Sequence, residues 1–265
     1  MRWTRNTVWA GRRKRGRGLL DGFPVQRLSE FGVLSEEELV GLQEAVGPPE
    51  SFARQAVIRH QGAAPDSILL LQEGWACSAV TLPSGERQLF KIHLPGDLMG
   101  VASICLAESV DSLYALTPVV IRTLPSPKFG AIFSSTPEFA ARMYLAAQRE
   151  RIVLLDRLSA LGAKRASGRM AALLLDLHER LRQVGQVCDG QFTLRLTQDE
   201  IGDYLGLTAV HVNRTFRQLQ ESGLIERRLQ RIKLLQMEAL AEMSGYVSRP
   251  IDAGCVDLFR RRVAG

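Results

Sequence analysis

The chain has 265 residues, of which 46% are hydrophobic and 23% charged, with a formal net charge of +6. That length suits about two domains, and its longest apolar runs, such as 170–175, fall far short of the ~18 residues a membrane helix needs. Seven basic residues and no acid fall in the first 18 (Arg2, Arg5, Arg12, Arg13, Lys14, Arg15 and Arg17), which leaves 27 basic against 28 acidic residues elsewhere, so any basic surface on the folded body must be local.

The stretch 1–20 is rich in glycine and arginine and lacks a periodic apolar pattern, so it is expected to be a basic disordered tail. No apolar signal-peptide core follows it, which makes the cytoplasm the expected location and no membrane the expected partner. Residues 21–47 predict helix. Ser35 followed by Glu38 has the spacing of a capping box, Leu39, Leu42 and Val46 form an apolar stripe, and Pro48 and Pro49 end it. From 51 to 124 the texture changes to short apolar runs at 57–58, 67–71, 76–82, 88–93 and 119–124. Between them sit Gly62, Gly74, Pro83–Ser84–Gly85, Pro95–Gly96–Asp97 and Gly100. Strands at such spacing predict a small antiparallel barrel or sandwich, with a hairpin tip at 83–85.

Residues 136–161 predict one long helix. Ala140, Tyr144, Ala147, Arg151, Leu154, Leu158 and Leu161 recur at alternating spacings of four and three, a coiled-coil seam interrupted by Arg151. The seam predicts a homodimer; packing of the helix on its own barrel is the alternative. Gly162 is the expected joint. A second amphipathic helix at 166–182 runs through Met170, Leu173, Leu174, Leu177 and Leu181, followed by a loop at 184–190 and a short strand at 192–196.

The segment 196–225, LTQDEIGDYLGLTAVHVNRTFRQLQESGLI, has the spacing of a helix-turn-helix. Thr197 with Glu200 opens a short helix whose inner face is Ile201, Gly202 and Leu205. Gly206 supplies a left-handed turn residue. Leu207, Val212, Phe216 and Leu219 anchor a second helix. Its other face carries Thr208, His211, Asn213, Arg214 and Arg217, side chains suited to base edges and phosphates. The motif points to duplex DNA; a helical hairpin inside a larger core is the alternative. Residues 224–228 and 231–235 alternate as two strands about a tight turn, completing a winged helix. From 205 to 235, six basic residues (Arg214, Arg217, Arg227, Arg228, Arg231 and Lys233) face Glu221 and Glu226, the sign expected for phosphate contact. Thr197, Thr208, Arg217, Arg227 and Arg228 are the phosphate candidates.

Cys77, Cys105, Cys188 and Cys255 are far apart with no CxxC pair, which argues against a zinc or local iron–sulfur site and for free thiols. The histidines at 60, 93, 178 and 211 lie in no recognisable nucleophile or metal motif, so neither a metal nor an enzyme is expected.

Barrel, long helix and winged helix in this order resemble the cyclic-AMP receptor protein / fumarate-nitrate regulator (CRP/FNR) family of bacterial transcription factors. The resemblance spans 25–235. Its specific parts are LPGDLMG at 94–100, the ungapped run 137–177, and 196–225. It implies an α+β chain with a cyclic-nucleotide-binding-like β-roll at 21–135, a dimerisation helix at 136–163, a winged helix-turn-helix at 164–240 and a tail at 241–265. It further implies a homodimer on a palindromic promoter site, with RNA polymerase as a partner and no enzyme activity. A non-DNA regulatory module is the rival from another class.

In the family's founding member, the phosphate-binding cassette begins Gly-Asp-x-x-Gly-Glu and ends Arg-Ser. Backbone N–H groups and the arginine hold the phosphate there, and the glutamate takes the ribose hydroxyl. Gly96, Asp97 and Gly100 keep the loop. The glutamate position is Val101, the arginine position falls on Val110 or Asp111 just before Ser112, and the adenine-facing Thr-Ser pair of the dimer helix falls on Leu154 and Leu155. Three contacts are missing, so cyclic AMP is not the expected effector. No cysteine precedes Cys77, so the N-terminal cysteines of the iron–sulfur branch are absent. No cofactor is expected; haem on His60 or His93 and a thiol switch at Cys188 stay open as alternatives, as does the absence of any effector. The family's base-reading positions fall on Ala209, Val210, Asn213 and Arg214. Arg214 is expected to read a guanine, Asn213 an adenine or a phosphate, and Val210 a thymine methyl in place of a cytosine contact, with His211 adding a base or backbone bond.

Overall fold

The computed structural model describes residues 28–83, 85–163, 165–247 and 255, and of 159–163 the backbone alone. The basic stretch 1–20 and most of the segment after 247 lie outside the described residues. The helix expected across 21–47 is shorter. A 3-10 turn spans Leu28–Phe31, Gly32 at φ 126° breaks it, and helix α1 spans Glu36–Ala45. The predicted capping box starts α1: Ser35 Oγ accepts from Glu38 N at 3.1 Å, and Ser35 N donates to the Glu38 carboxylate at 2.6 Å.

A β-roll of two antiparallel sheets follows. One has the order β1-β8-β3-β6, with β1 Pro49–Phe52, β8 Val119–Pro125, β3 Ser67–Glu73 and β6 Leu98–Met99. The other has the order β2-β7-β4-β5, with β2 Val57–Arg59, β7 Ser112–Ala115, β4 Ala76–Thr81 and β5 Arg87–His93. Strands β1, β6 and β7 add to those read from the sequence. β1 opens on a proline, is mostly exposed at a sheet edge and shows no alternation; β6 is two residues long. Helix α2 (Ser126–Ser135) was hidden by its proline, glycine and serines, although Phe129 and Ile132 bury its inner face.

Thr136, at φ −126° and ψ 88°, separates α2 from the long helix α3 (Pro137–Ala163). The first turns of α3 pack on the roll through Phe139 and Met143, and Arg142 makes a buried ion pair with Glu38 and donates to Val33 O at 3.0 Å. The helix continues through Gly162 to Ala163. Helix α4 (Ala166–Gln183) begins after Arg165, so the break between the two helices falls after Ala163 rather than at Gly162. Met170, Leu173, Leu174, Leu177 and Leu181 form the buried stripe of α4 as expected from their spacing.

The C-terminal unit is a winged helix: strand β9 (Gln191–Thr193), helices α5 (Gln198–Leu205) and α6 (Ala209–Glu221), and strands β10 (Ile225–Arg228) and β11 (Arg231–Leu234) in a sheet of order β10-β11-β9. Helix α7 (Met237–Ser244) crosses the boundary expected between 240 and 241. Leu240 and Ser244 are fully buried, and Tyr246 Oη donates to Glu179 of α4 at 2.8 Å, so the folded unit extends past residue 240 into the stretch expected to be a tail.

The winged helix docks on the roll of its own chain. One apolar core runs from Trp75, Leu89, Ile92 and Leu94 into Met170, Phe192, Tyr204 and Phe216. Charged contacts rim it: Arg87 with Asp203 at 3.0 Å and Arg54 with Glu200 at 2.7 Å. Arg157 lies over the Tyr204 ring at 3.8 Å and donates to the carbonyls of Phe90 and Tyr204. Arg180 of α4 reaches the roll's 94–97 turn, donating to Ile92 O at 2.7 Å and to Asp97 at 2.9 Å.

Candidate nucleic-acid interface

The helix-turn-helix is built by three local devices. Thr197 caps α5 in a full capping box, with Glu200 N on its hydroxyl at 3.2 Å and its own N–H on the Glu200 carboxylate at 2.7 Å. Gly206 takes the left-handed conformation at φ 65° and ends α5. Gly202 allows the second helix close: a Cβ there would stand 2.4 Å from Leu207 O. Thr208 then caps α6, accepting from His211 N at 3.3 Å and pairing with His211 Nδ1 at 3.0 Å. Val212, Thr215, Phe216 and Leu219 bury the inner face of α6, as their three- and four-residue spacing requires.

The outer face presents the residues picked for DNA. Val210 (76% exposed), His211, Asn213, Arg214 and Arg217 are all exposed. Arg214 and Arg217 make no hydrogen bond or ion pair among the described residues. Their guanidinium groups are therefore at liberty to meet an anion or a guanine edge, two parallel N–H donors to O6 and N7 in the latter case. Asn213 is less free: its amide exchanges hydrogen bonds with Gln198, which donates to Asn213 Oδ1 at 2.6 Å. Gln198, the first residue of α5, was missed in the sequence because only the crossing of the two helices brings it beside α6. Thr197 and Thr208 use their oxygens as caps; the Thr197 hydroxyl keeps its donor for phosphate, whereas that of Thr208 also pairs with His211 Nδ1.

The wing residues divide. Arg228 is exposed and pairs with Glu226 at 2.7 Å. Arg227 is half-buried, its guanidinium 4.2 Å from the centre of the Phe216 ring, and burial lowers its pKa from the usual value. It fastens the wing to α6.

The cassette residues lie in the roll. Gly96 and Gly100 are left-handed at φ 93° and 77°. Asp97 is buried, accepting from Leu94 N at 2.9 Å as well as from Arg180. Ser112 Oγ accepts from Gln61 N at 2.9 Å, and Asp111 is buried beside it. Sequence reasoning missed Arg59 of β2. Its guanidinium lies against Gly100 so closely that a Cβ there would be 2.2 Å from Arg59 Nη2, and it donates to Ser67 O at 3.0 Å with Asp111 and Asp66 as its nearest opposing charges. Arg59 is far from the cassette in sequence, and only strand pairing delivers it. Val101 lines a cavity of about 170 Å³ between β5, the Gly96–Asp97 turn, α3 and Arg180; Leu154 lines the same cavity.

His60 is exposed, whereas His93 is 2% exposed with Nε2 on Ser78 Oγ at 2.9 Å. Cys77 is buried, which pushes its thiol up to about 12, while Cys105 and Cys188 are exposed. Along α3, Tyr144, Ala147, Arg151, Leu154 and Leu158 are all exposed, together with Ile152, Val153 and Leu155; the side chain of Leu161 lies outside the described residues. Among the described residues no helix is long and apolar enough to cross a membrane.

Comparison with known proteins adds the following. Residues 168–243 match the Crp-like helix-turn-helix domain, and residues 49–136 match the cyclic nucleotide-binding domain. The chain is 32% identical to the transcriptional activatory protein AadR of Rhodopseudomonas palustris, over 74% of this chain and 79% of that one. It is 30% identical to the transcriptional regulatory protein btr of Bordetella pertussis, over 62% of this chain and 68% of that one. Its fold is similar to that of FixK2 from Bradyrhizobium japonicum, with a TM-score of 0.68 at 24% identity over 76% of this chain and 98% of that one.

Proposed function

This chain belongs to the CRP/FNR family of DNA-binding transcriptional regulators, and from that premise we propose that it acts in the cytoplasm as a homodimer whose two α6 helices read a palindromic promoter site. There it recruits or blocks RNA polymerase. The reading rests on two observations above all: an exposed Arg214–Arg217 face on α6 and a run of exposed leucines on α3 of the same chain. The first suits a groove, the second a twin helix. Arg214 reads a guanine in each half-site, Val210 favours a thymine methyl, and Asn213 reaches its base or phosphate by exchanging its bond with Gln198. Thr197, Thr208, Arg217 and Arg228 hold phosphates and set register. The half-sites lie about one helical turn apart, ~34–36 Å.

Cyclic AMP is not the effector in this proposal. The residues do not fit it: the cassette carries Val101 and the buried carboxylate of Asp111, Arg59 already occupies the Gly100 face, and Leu154 and Leu155 offer adenine no hydrogen bond. The protein is not an enzyme in this reading, its relatives being regulators.

Selection of bound duplexes from a random pool, with the protein–DNA mass measured in the same sample, tests the proposal. A two-fold symmetric consensus bound by two protomers is expected. An asymmetric consensus, or one protomer per duplex, overturns the dimer reading. Calorimetric titration with cyclic AMP should show no heat of binding; a saturable isotherm overturns the effector reading.

A further inference from the structure

The tip of the wing is built in a way the fold does not need. Strands β10 and β11 pair down to Arg228 opposite Arg231, leaving only Leu229 and Gln230 as the turn. Leu229 sits at φ 55°, the left-handed region that glycine, asparagine or aspartate adopts readily and leucine does not. Its side chain is 93% exposed and covers nothing. The turn is nevertheless held: Gln230 O accepts from Leu194 N at 2.7 Å, and Arg227 both donates to Leu229 O and lies over Phe216 of α6. A strained apolar residue is thus kept at a fixed position beside the reading helix, between two exposed guanidinium groups.

We propose that Leu229 enters the minor groove flanking each half-site and selects A·T pairs there, while Arg228 and Arg231 hold the phosphates on its two sides. Several facts argue for DNA as the occupant. The tip is flanked by positive charge, the strand that leads to it is tied to α6 by Arg227 over Phe216, and four strand residues span ~13 Å, about the width of the major groove that α6 fills. A wing anchored beside α6 therefore reaches over one phosphate backbone into the neighbouring groove. Apolar side chains of proteins that bind the minor groove act as wedges there. The selectivity follows from what the groove exposes. G·C pairs place the guanine 2-amino group there, a donor that a leucine would leave without a partner, whereas A·T pairs have none. This inference rests on DNA reading by α6 and adds a contact to it.

The test uses full-length protein and duplexes carrying the selected site, with each flanking pair in turn made A·T, G·C or inosine·C. Inosine keeps guanine's major-groove face and lacks the 2-amino group. Wild type should bind A·T and inosine·C flanks alike and G·C about fivefold or more weakly. L229G and L229N, which suit the left-handed turn better, should lose that preference with unchanged or higher thermal stability. An inosine·C flank that behaves as G·C overturns the inference, as does a flank preference that survives both variants. Loss of promoter activation by L229G with DNA affinity and flank preference intact would overturn it as well, in favour of a protein contact. Failure to bind any duplex would instead refute the α6 reading, so the two are separable.

Discussion

A single guanidinium on α6 carries most of the sequence discrimination expected here. Arg214→Ala should cost about 1–3 kcal/mol at the selected site and relax preference at one base pair, whereas Arg228→Ala should weaken all duplexes alike and reduce the salt slope by about one unit. Fluorescence anisotropy at several salt concentrations checks both. The exposed face of α6 was legible in the sequence because exposure on a short helix follows from spacing alone. Gln198 beside Asn213 and Arg59 against Gly100 were not, since each pairing joins residues that only tertiary packing brings together. His178 supplies a second residue-scale prediction. It is buried, Nε2 has no hydrogen-bond partner among the described residues, and burial together with Arg182 lowers its pKa below the usual 6.5. The unfolded chain then takes up a proton that the folded chain refuses, so stability is complete above about pH 6.5 and is lost as the pH falls below it. His178→Leu should flatten the acid limb of the melting temperature in that range, as read by circular dichroism; an unchanged slope would free His178 of the role.

Among the elements, α5 meets the turn before α6 at Gly202, and α3 presents an exposed apolar face. Gly202→Ala places a methyl group where Leu207 O now lies 2.4 Å away, so the crossing must open. A loss of about 1–3 kcal/mol of stability is expected, as for overpacking elsewhere, along with weaker DNA binding; a variant with wild-type melting would show that the turn is pliable. On α3 the seam residues Leu158 and Tyr144 are 64% and 53% exposed, and Ile152, Val153 and Leu155 off the seam are exposed as well. Burial of a leucine in a partner helix contributes roughly 1.5–3 kcal/mol. The double variant Leu154→Glu, Leu158→Glu should therefore sediment as a monomer under conditions where wild type is a dimer, and it should bind a full palindrome no better than a half-site. The helix α2 and the end of α3 at Ala163 escaped the sequence for a common reason: prolines and glycines mark breaks well, but they do not say which side of the break keeps its helix.

At the scale of the whole chain, the order of roll, long helix and winged helix was readable because each unit has its own periodicity. The docking of the winged helix on the roll was not, because it depends on Arg87, Arg157 and Arg180 finding Asp203, Tyr204 and Asp97 across long sequence separations. Arg180 is buried, and its pKa is raised by Asp176 and Asp97 against the cost of burial. That docking has a consequence for the DNA. A reading head clamped to its own body cannot swivel to follow a displaced target, so the proposed pair of protomers behaves as a caliper with one opening. One base pair inserted between the half-sites shifts the far mark by about 3.4 Å and turns it by about 34° around the axis. Affinity for such a stretched operator should drop to that of an isolated half-site, and Arg180→Met, by loosening the clamp, should restore part of the tolerance.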